Sequence, residues 1–316
     1  MATHPARMVT RVSDLSQLSE AEMQETRAFI IAGRHYNGRD ADFRIGVLDA
    51  IRGSVRRFDI FEEIPKERRN AELLATLKIR SKRKVSELAG SFAMAPREFL
   101  GPMLLEYKRL AERHGSRVYP IGNSIRTADR EIREEFAAIV TEIRRASSEG
   151  SALEDFESKI PSRVEFLLAV GRLADLDNPI FTRNINEVSV TLNIPFVVSV
   201  GSNHAEYIAA NLEGGGNVVI VMHEVMRALS DLLQQSVAIA RRGGPENADE
   251  ILVLAKNEAS EIIFMNDNIG MDYMRSLMNA RTLLGVEALA NEMRAISRSD
   301  DNPDIDVERF YRAVKY

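Results

Sequence analysis

An apolar run that ends in a glycine and a histidine constrains the fold of this chain more than any other stretch. Residues 196–200 read Phe-Val-Val-Ser-Val, and Gly-Ser-Asn-His follows at 201–204. A short apolar run rich in β-branched residues predicts a strand that is buried in a parallel sheet. A helical pattern resumes at Ala205. His204 is therefore expected just beyond the carboxyl end of a strand, where open α/β sheets bind their ligands.

A second histidine occupies the same kind of position near the amino terminus. Residues 29–33 read Phe-Ile-Ile-Ala-Gly, His35 follows them, and a helical pattern covers residues 40–52. A third run, residues 57–61, ends in the paired acids Glu62 and Glu63. Two histidines and a carboxylate at strand ends predict a metal site or an acid–base site.

An arginine precedes the second histidine corner. Arg183 lies in a helix-length segment before the strand at 196–200, and its planar guanidinium suits a developing oxyanion or a substrate carboxylate. His223 follows a further apolar run at 217–222 and is a weaker candidate. The sequence has no Gly-x-Ser-x-Gly elbow, Walker loop or His-Glu-x-x-His motif.

These motifs resemble those of the Tiki/TraB-like superfamily of metal-dependent hydrolases, whose branches include erythromycin esterases and ChaN-type haem-uptake lipoproteins. Its members carry Gly-x-x-His at each end of the domain, an acid that closes the second strand, and Arg-Asn before the second histidine motif. Residues 201–204 match the second motif, and Arg183 with Asn184 matches the Arg-Asn pair. The first motif departs from the pattern, because Ala32 stands where glycine is expected before His35.

Either of two adjacent acids is similar to the acid of the superfamily. Glu62 is the better match, and Glu63 is one step off in register. The resemblance covers roughly residues 28–222.

The resemblance implies a hydrolase that cleaves an ester or amide bond of a small molecule or peptide with His35, His204, Glu62 and Arg183. In one version both histidines and Glu62 hold a divalent ion (Mn, Co or Zn) that lowers the pKa of its bound water to about 7. In the other version one histidine is the general base, Glu62 orients it and Arg183 stabilises the oxyanion.

Two other functions stay open at this stage. The ChaN-type branch implies a haem- or iron-binding protein in which His35 or His204 is an axial ligand. A third interpretation is an inactive scaffold whose helical tail recruits a partner, as a delivered effector would do.

The fold class predicted by these patterns is α/β. We expect a mostly parallel central sheet of about five strands that is flanked by helices, with an added helical segment at the carboxyl terminus. The predicted domains are a lead-in at 1–27, a Tiki/ChaN-like core at 28–222 and a helical extension at 223–316. Regularly spaced Met and Leu residues in the extension predict a helix-packing core, and a homo-oligomer through these helices is a hypothesis.

Composition excludes several classes of protein. The chain has 316 residues and a formal net charge of -5, which argues against nucleic acid as a partner. It contains no cysteine, which excludes disulfides and thiolate metal sites. We recognise neither a signal peptide nor a membrane-length apolar run, so a cytoplasmic protein without membrane contact is expected, and delivery as an effector stays open.

Overall fold

The strands and helices follow the predicted alternation along the chain. The structure is a computed structural model that describes residues 8–33, 38–65, 97–122, most of 131–143, 156–264 and 271–297. The strands are β1 (Val9–Val12), β2 (Thr26–Gly33), β3 (Asp59–Pro65), β4 (Val118–Gly122), β5 (Phe196–Gly201) and β6 (Asn217–Val221). The helices are a 3₁₀ turn (Leu15–Gln17), α1 (Glu20–Glu25), α2 (Gly38–Ser54), α3 (Arg97–His114), α4 (Phe156–Ser189), α5 (Ala205–Asn211), α6 (Glu224–Arg241), α7 (Ala248–Phe264), α8 (Met271–Asn279) and α9 (Leu283–Ser297).

The sheet confirms the predicted fold class. Its six strands lie in the order β1-β6-β2-β5-β3-β4, and every neighbouring pair is parallel. The sequence predicted about five strands, and the additional one is β1, which pairs with β6 from Val9↔Val218 to Val12↔Val221. These residues lie in the predicted lead-in at 1–27. A four-residue edge strand containing Thr10 and Arg11 has too little apolar periodicity to be recognised from sequence.

Both faces of the sheet are covered, which explains the uninterrupted apolar runs of β2 and β5. One face, which we call the α2 face, packs Phe29, Ile31 and Val197 against residues of α1, α2 and α3. The opposite face, which we call the α5 face, packs Ala28, Ile30 and Val198 against α5 and the last third of α4. Side chains alternate between the two faces along each strand.

The connections that follow β2 and β5 diverge at the carboxyl ends of these two strands. The chain leaves β2 through α2 toward β3 on one side of the sheet, and leaves β5 through α5 toward β6 in the opposite direction. Gly33 and Gly201, the last residues of these two neighbouring strands, are partners in the ladder. Loops that diverge from adjacent parallel strands form the ligand crevice of open α/β sheets.

The chain divides into two compact units. The first contains residues 1–133 and 175–226 and carries the whole sheet, and the second contains residues 134–174 and 227–316. Every described element after β6 is a helix, which confirms the predicted helical segment. The predicted domain boundaries after residues 27 and 222 remain predictions.

The second unit has a core of its own. Helix α7 packs against α8 and α9. Arg163 of α4 and Glu258 of α7 form a buried ion pair at 2.5 Å, and Arg163 also donates to the side-chain oxygen of Asn257.

None of the helices in the described part of the chain combines the length and the apolar composition that a membrane span requires.

Candidate functional site

Two of the four predicted site residues lie on or just beyond neighbouring strands of the first unit. His204 follows β5 at a distance of three residues, and Glu62 is the central residue of β3. His35, two residues beyond Gly33 in the chain, lies outside the described residues. Arg183 is exposed on α4.

His204 is buried and holds a defined ring orientation. It occupies the N-cap position of α5 but makes no side-chain capping bond. Its Nδ1 lies 2.7 Å from the side-chain oxygen of Asn178, and its ring centroid is 4.9 Å from that of Phe181. Because the amide oxygen accepts only, Nδ1 carries the proton of the neutral ring and Nε2 keeps its lone pair.

The carboxylate that the structure brings to His204 belongs to Glu63. Oε1 of Glu63 lies 3.8 Å from Nε2 of His204, and Oε2 accepts the backbone N–H of Gly201 at 2.6 Å. Glu63 is partly exposed, so a ligand reaching this edge of the sheet can contact it. The hydrogen bond from Gly201 fixes the carboxylate against β5, the strand that leads to His204.

Glu62 points to the other face of the sheet. Alternation along β3 directs Ile60, Glu62 and Ile64 toward the α2 face, and directs Phe61 and Glu63 toward the α5 face. The Glu62 carboxylate accepts the hydroxyl of Tyr107 in α3 and is also hydrogen-bonded to the Ser199 side chain of β5. The structure therefore pairs His204 with Glu63 rather than with the predicted Glu62, and the physical reason is the two-residue period of a strand.

A buried polar network surrounds Glu62. Arg44 is fully buried and pairs with Asp40 at 3.0 Å through Nε. Its other nitrogens donate to the carbonyl of Val200 at 3.0 Å and to the Ser199 hydroxyl. Buried charges are tolerated when hydrogen bonds satisfy them in this way, and removal of one partner leaves an uncompensated charge.

Burial raises the pKa of Glu62 and lowers the pKa of His204, because it disfavours the charged form of each group. It raises the pKa of Glu62 from 4.5 to about 7, although Arg44 and the Tyr107 hydroxyl act against the rise. Burial also lowers the pKa of His204 from 6.5 to about 4. At neutral pH His204 is consequently an uncharged imidazole, and Glu62 exists in both protonation states.

The glycines that end β2 and β5 are required by crowding. A Cβ atom at Gly33 would lie 2.0 Å from Oδ1 of Asp40. A Cβ atom at Gly201 would lie 2.9 Å from the side-chain oxygen of Asn203 and 3.2 Å from the ring of His204. A Cβ atom at Gly33 would therefore displace Asp40, and one at Gly201 would force Asn203 and His204 to shift, so glycine lets these polar side chains come close to the strand ends.

Arg183 is not among the residues that surround His204. Its side chain lies on the exposed side of α4, whereas the neighbouring Asn184 is buried and donates to the carbonyl of Ile121 at the end of β4. The site residue that α4 supplies is Asn178. Helical spacing places Phe181 on the same face as Asn178, three residues on, and this periodicity is the only sequence signal for either residue.

His223 has a structural role in the described part of the chain. Its Nδ1 accepts the backbone N–H of Val225 at 3.3 Å, in the first turn of α6. Its ring also stands edge-on to Phe43 of α2, with centroids 6.1 Å apart. The residue therefore acts as a helix cap, since it satisfies one of the backbone donors that a helix leaves unpaired at its start.

The site offers two donors to a metal ion. Nε2 of His204 and Oε1 of Glu63 are nitrogen and oxygen donors of the type that divalent transition metals accept. Among the residues that the structure describes, no group of three or more His, Asp and Glu side chains has a metal-binding arrangement. The predicted third ligand, His35, lies outside those residues.

Comparison with known proteins assigns no family. No protein-family model matches the chain, and no curated protein matches it. A solved structure described as cofacial heme binding to ChaN of Campylobacter jejuni is similar over 64% of this chain and 82% of that chain, with 10% sequence identity and a TM-score of 0.40. A likeness at that level does not establish membership, activity or ligand, so the resemblance to the Tiki/TraB-like superfamily stays a prediction.

Proposed function

We propose that the protein is a hydrolase of an ester or amide bond, and that His204 and Glu63 activate the attacking water. The observation that supports this proposal is the pairing of Nε2 of His204 with Oε1 of Glu63 at 3.8 Å, at the carboxyl edge of a parallel sheet. That separation is too long for a direct hydrogen bond, and a water molecule beside both atoms can bond to each of them.

Each residue of the site has a separate task in this mechanism. Asn178 holds the Nδ1–H of His204, which keeps the Nε2 lone pair directed at the water. Nε2 accepts the proton as the water attacks the carbonyl carbon, and the neighbouring Glu63 carboxylate stabilises the imidazolium that forms. The proton then passes from Nε2 to the leaving group.

The low pKa of His204 is compatible with this role. Because burial lowers that pKa to about 4, the imidazole is in its basic form across the neutral range. The proximity of the Glu63 carboxylate favours the protonated ring at the moment of proton transfer. Glu62, on the other face, takes no direct part.

The donor set is also compatible with a divalent ion. Nε2 of His204 and a carboxylate oxygen of Glu63 would be two ligands, and His35 remains the predicted third. When bound, such an ion lowers the pKa of a coordinated water and polarises a carbonyl oxygen. A ligating histidine must be neutral, which the buried ring of His204 already is.

A panel of ester and amide substrates tests the proposal. His204→Ala and Glu63→Gln should each lower the hydrolysis rate by about 10²- to 10⁴-fold. His114→Ala is the matched control, because His114 ends α3 before β4 and lies at the amino edge of the sheet. Addition of a metal chelator distinguishes the two versions of the mechanism, because it should stop hydrolysis only if a divalent ion is required. Hydrolysis that survives in both site variants would contradict the proposal.

Haem binding is a second candidate function. The observation that favours it is a neutral imidazole whose Nε2 is an acceptor and whose ring packs on Phe181, which is what an axial ligand beside an apolar wall requires. A Soret band in haem titration that His204→Ala abolishes and His114→Ala retains would support it. If neither hydrolysis nor haem binding depends on His204, the inactive-scaffold interpretation takes their place.

Self-association through the carboxyl-terminal helices is a separate proposal. Leu284 of α9 has 77% of its surface exposed, and association with a second copy of the chain would bury this apolar side chain. Light scattering of the wild type and of Leu284→Gln checks this proposal, and a monomer at every concentration would count against it.

A further inference from the structure

The backbone ladder of β3 weakens where the two glutamates lie. Glu62 and Ser199 are the last partners between β3 and β5. On the other side Glu62 lies opposite Pro120 of β4, which has no N–H to donate, and the register shifts before Pro65 pairs with Gly122. Side-chain hydrogen bonds must therefore replace part of the backbone ladder that would otherwise hold β3 at Glu62 and Glu63.

Glu62 and Glu63 make side-chain hydrogen bonds on opposite faces of the sheet. On the α2 face the Glu62 carboxylate is bonded to the hydroxyls of Tyr107 and Ser199. On the α5 face the Glu63 carboxylate accepts the N–H of Gly201. One peptide unit separates the two carboxylates, so a change in the position of one residue is transmitted to the other.

We propose that Tyr107 and Ser199 are positioning residues: by fixing Glu62 on one face of the sheet, they hold Glu63 opposite His204 on the other face. The proposal takes from the proposed function only the pairing of Glu63 with His204. Neither Tyr107 nor Ser199 touches the reacting groups.

The surroundings of Ser199 make it a rigid anchor. Arg44 donates to the Ser199 hydroxyl and to the carbonyl of Val200, the residue that follows it in β5. Arg44 is itself held by Asp40, one turn earlier in α2. Helix α3 therefore reaches Glu62 directly through Tyr107, and helix α2 reaches it indirectly, through Arg44 and then Ser199.

Removal of one donor should loosen the strand end. A buried carboxylate that loses a hydrogen-bond donor is destabilised, and movement of the chain toward water relieves part of that penalty. Because β3 lacks a full ladder at Glu62, this end of the strand is the part that can move. Glu63 would then leave Gly201 and His204.

Hydrogen exchange measured by NMR tests the proposal without a substrate. In Tyr107→Phe, exchange of the Gly201 amide should accelerate roughly tenfold more than exchange of the Val198 amide in the middle of the same strand. Tyr119→Phe is the matched control, because its hydroxyl reaches Asp59 at the amino end of β3, 3.4 Å away. In that variant the ratio of the two exchange rates should stay at the wild-type value.

Two results would overturn the proposal. If the exchange of the Gly201 and Val198 amides accelerates equally in Tyr107→Phe, Tyr107 contributes only to global stability. If the exchange rate of the Gly201 amide does not change, Glu63 is held in place without Tyr107. Ser199→Ala repeats the measurement with a smaller change, should Tyr107→Phe fail to fold. Because the exchange rates require no activity, the positioning role can be confirmed even if the hydrolase proposal fails.

Discussion

The two faces of the sheet treat adjacent glutamates in opposite ways. On the α2 face Glu62 is 2% exposed and is enclosed by Tyr107, Ser199 and Arg44. On the α5 face Glu63 has a side chain that is 23% exposed and lies beside a histidine. Two identical residues that are neighbours in sequence thus lie in a buried hydrogen-bonded network in one case and in a partly exposed position beside a histidine in the other. The side of the strand, rather than the residue type, decides which one is available to a ligand.

The largest expected effect comes from breaking the buried network. Arg44→Met leaves the carboxylates of Asp40 and Glu62 buried without their cation, and it should lower the free energy of unfolding by about 3–5 kcal/mol. The control is Arg52→Met on the same helix, whose ion pair with Asp49 is partly exposed. Surface pairs contribute about 0–1 kcal/mol, so urea denaturation should separate the two variants clearly. Equal losses in both variants would contradict the claim that the network around Glu62 depends on its buried cation.

Glu62 should make stability depend on pH. Its folded-state pKa of about 7 lies above the ordinary 4.5, so the folded protein binds this proton more tightly than the unfolded chain does. The associated stability is complete below pH 4.5 and is lost as the pH rises through 7, by on the order of 3 kcal/mol. Urea unfolding at pH 5 and pH 8 should show this loss in the wild type and not in Glu62→Gln. The same pH dependence in both proteins would contradict it.

His204 should have the opposite dependence. Its folded-state pKa of about 4 lies below the ordinary 6.5, so the unfolded chain binds this proton more tightly. The associated stability is complete above pH 6.5 and is lost as the pH falls through 4. Between pH 7 and acid pH, His204→Gln should therefore lose less unfolding free energy than the wild type loses. A parallel loss of stability in the wild type and the variant would show that the ring is not protected from protonation.

A smaller effect is expected on the α5 face alone, from a change in the partner of His204. Asn178→Asp puts a negative charge beside Nδ1 of His204 and should raise the pKa of this histidine from about 4 toward its ordinary value, because a nearby opposite charge favours the protonated ring. NMR titration of the imidazole measures the change. Asn186→Asp is the control, since Asn186 is also buried on α4 but bonds to Asn211 and Glu213. A similar shift in the control would mean that the effect is not local.

Much of this architecture could be predicted from the sequence. The apolar runs of β2 and β5 identify buried parallel strands, and the glycine after each run marks the crowded strand end that Asp40 and His204 require. The helical segment after β6 follows from the regular apolar spacing. Strand β1 was missed because four residues carry too little periodicity.

The choice between the two glutamates could not be made from the sequence. Both follow the same apolar run, and their faces depend on which side of the sheet α5 covers, which is a property of the chain connections. Asn178 and Tyr107 were missed for a similar reason, because each lies on a long helix and meets its partner only through tertiary packing. The prediction for Arg183 rests on the Arg-Asn motif and on the chemistry of its guanidinium, neither of which indicates that the side chain is exposed on the helix.

The pairing of His204 with Glu63 is tested most directly by the ¹⁵N resonances of the His204 ring at pH 7. We expect a neutral ring with the proton on Nδ1, and an Nε2 resonance that shifts in Glu63→Gln and keeps its wild-type position in Glu62→Gln. A proton on Nε2, or an Nε2 resonance that responds to Glu62→Gln and not to Glu63→Gln, would contradict it.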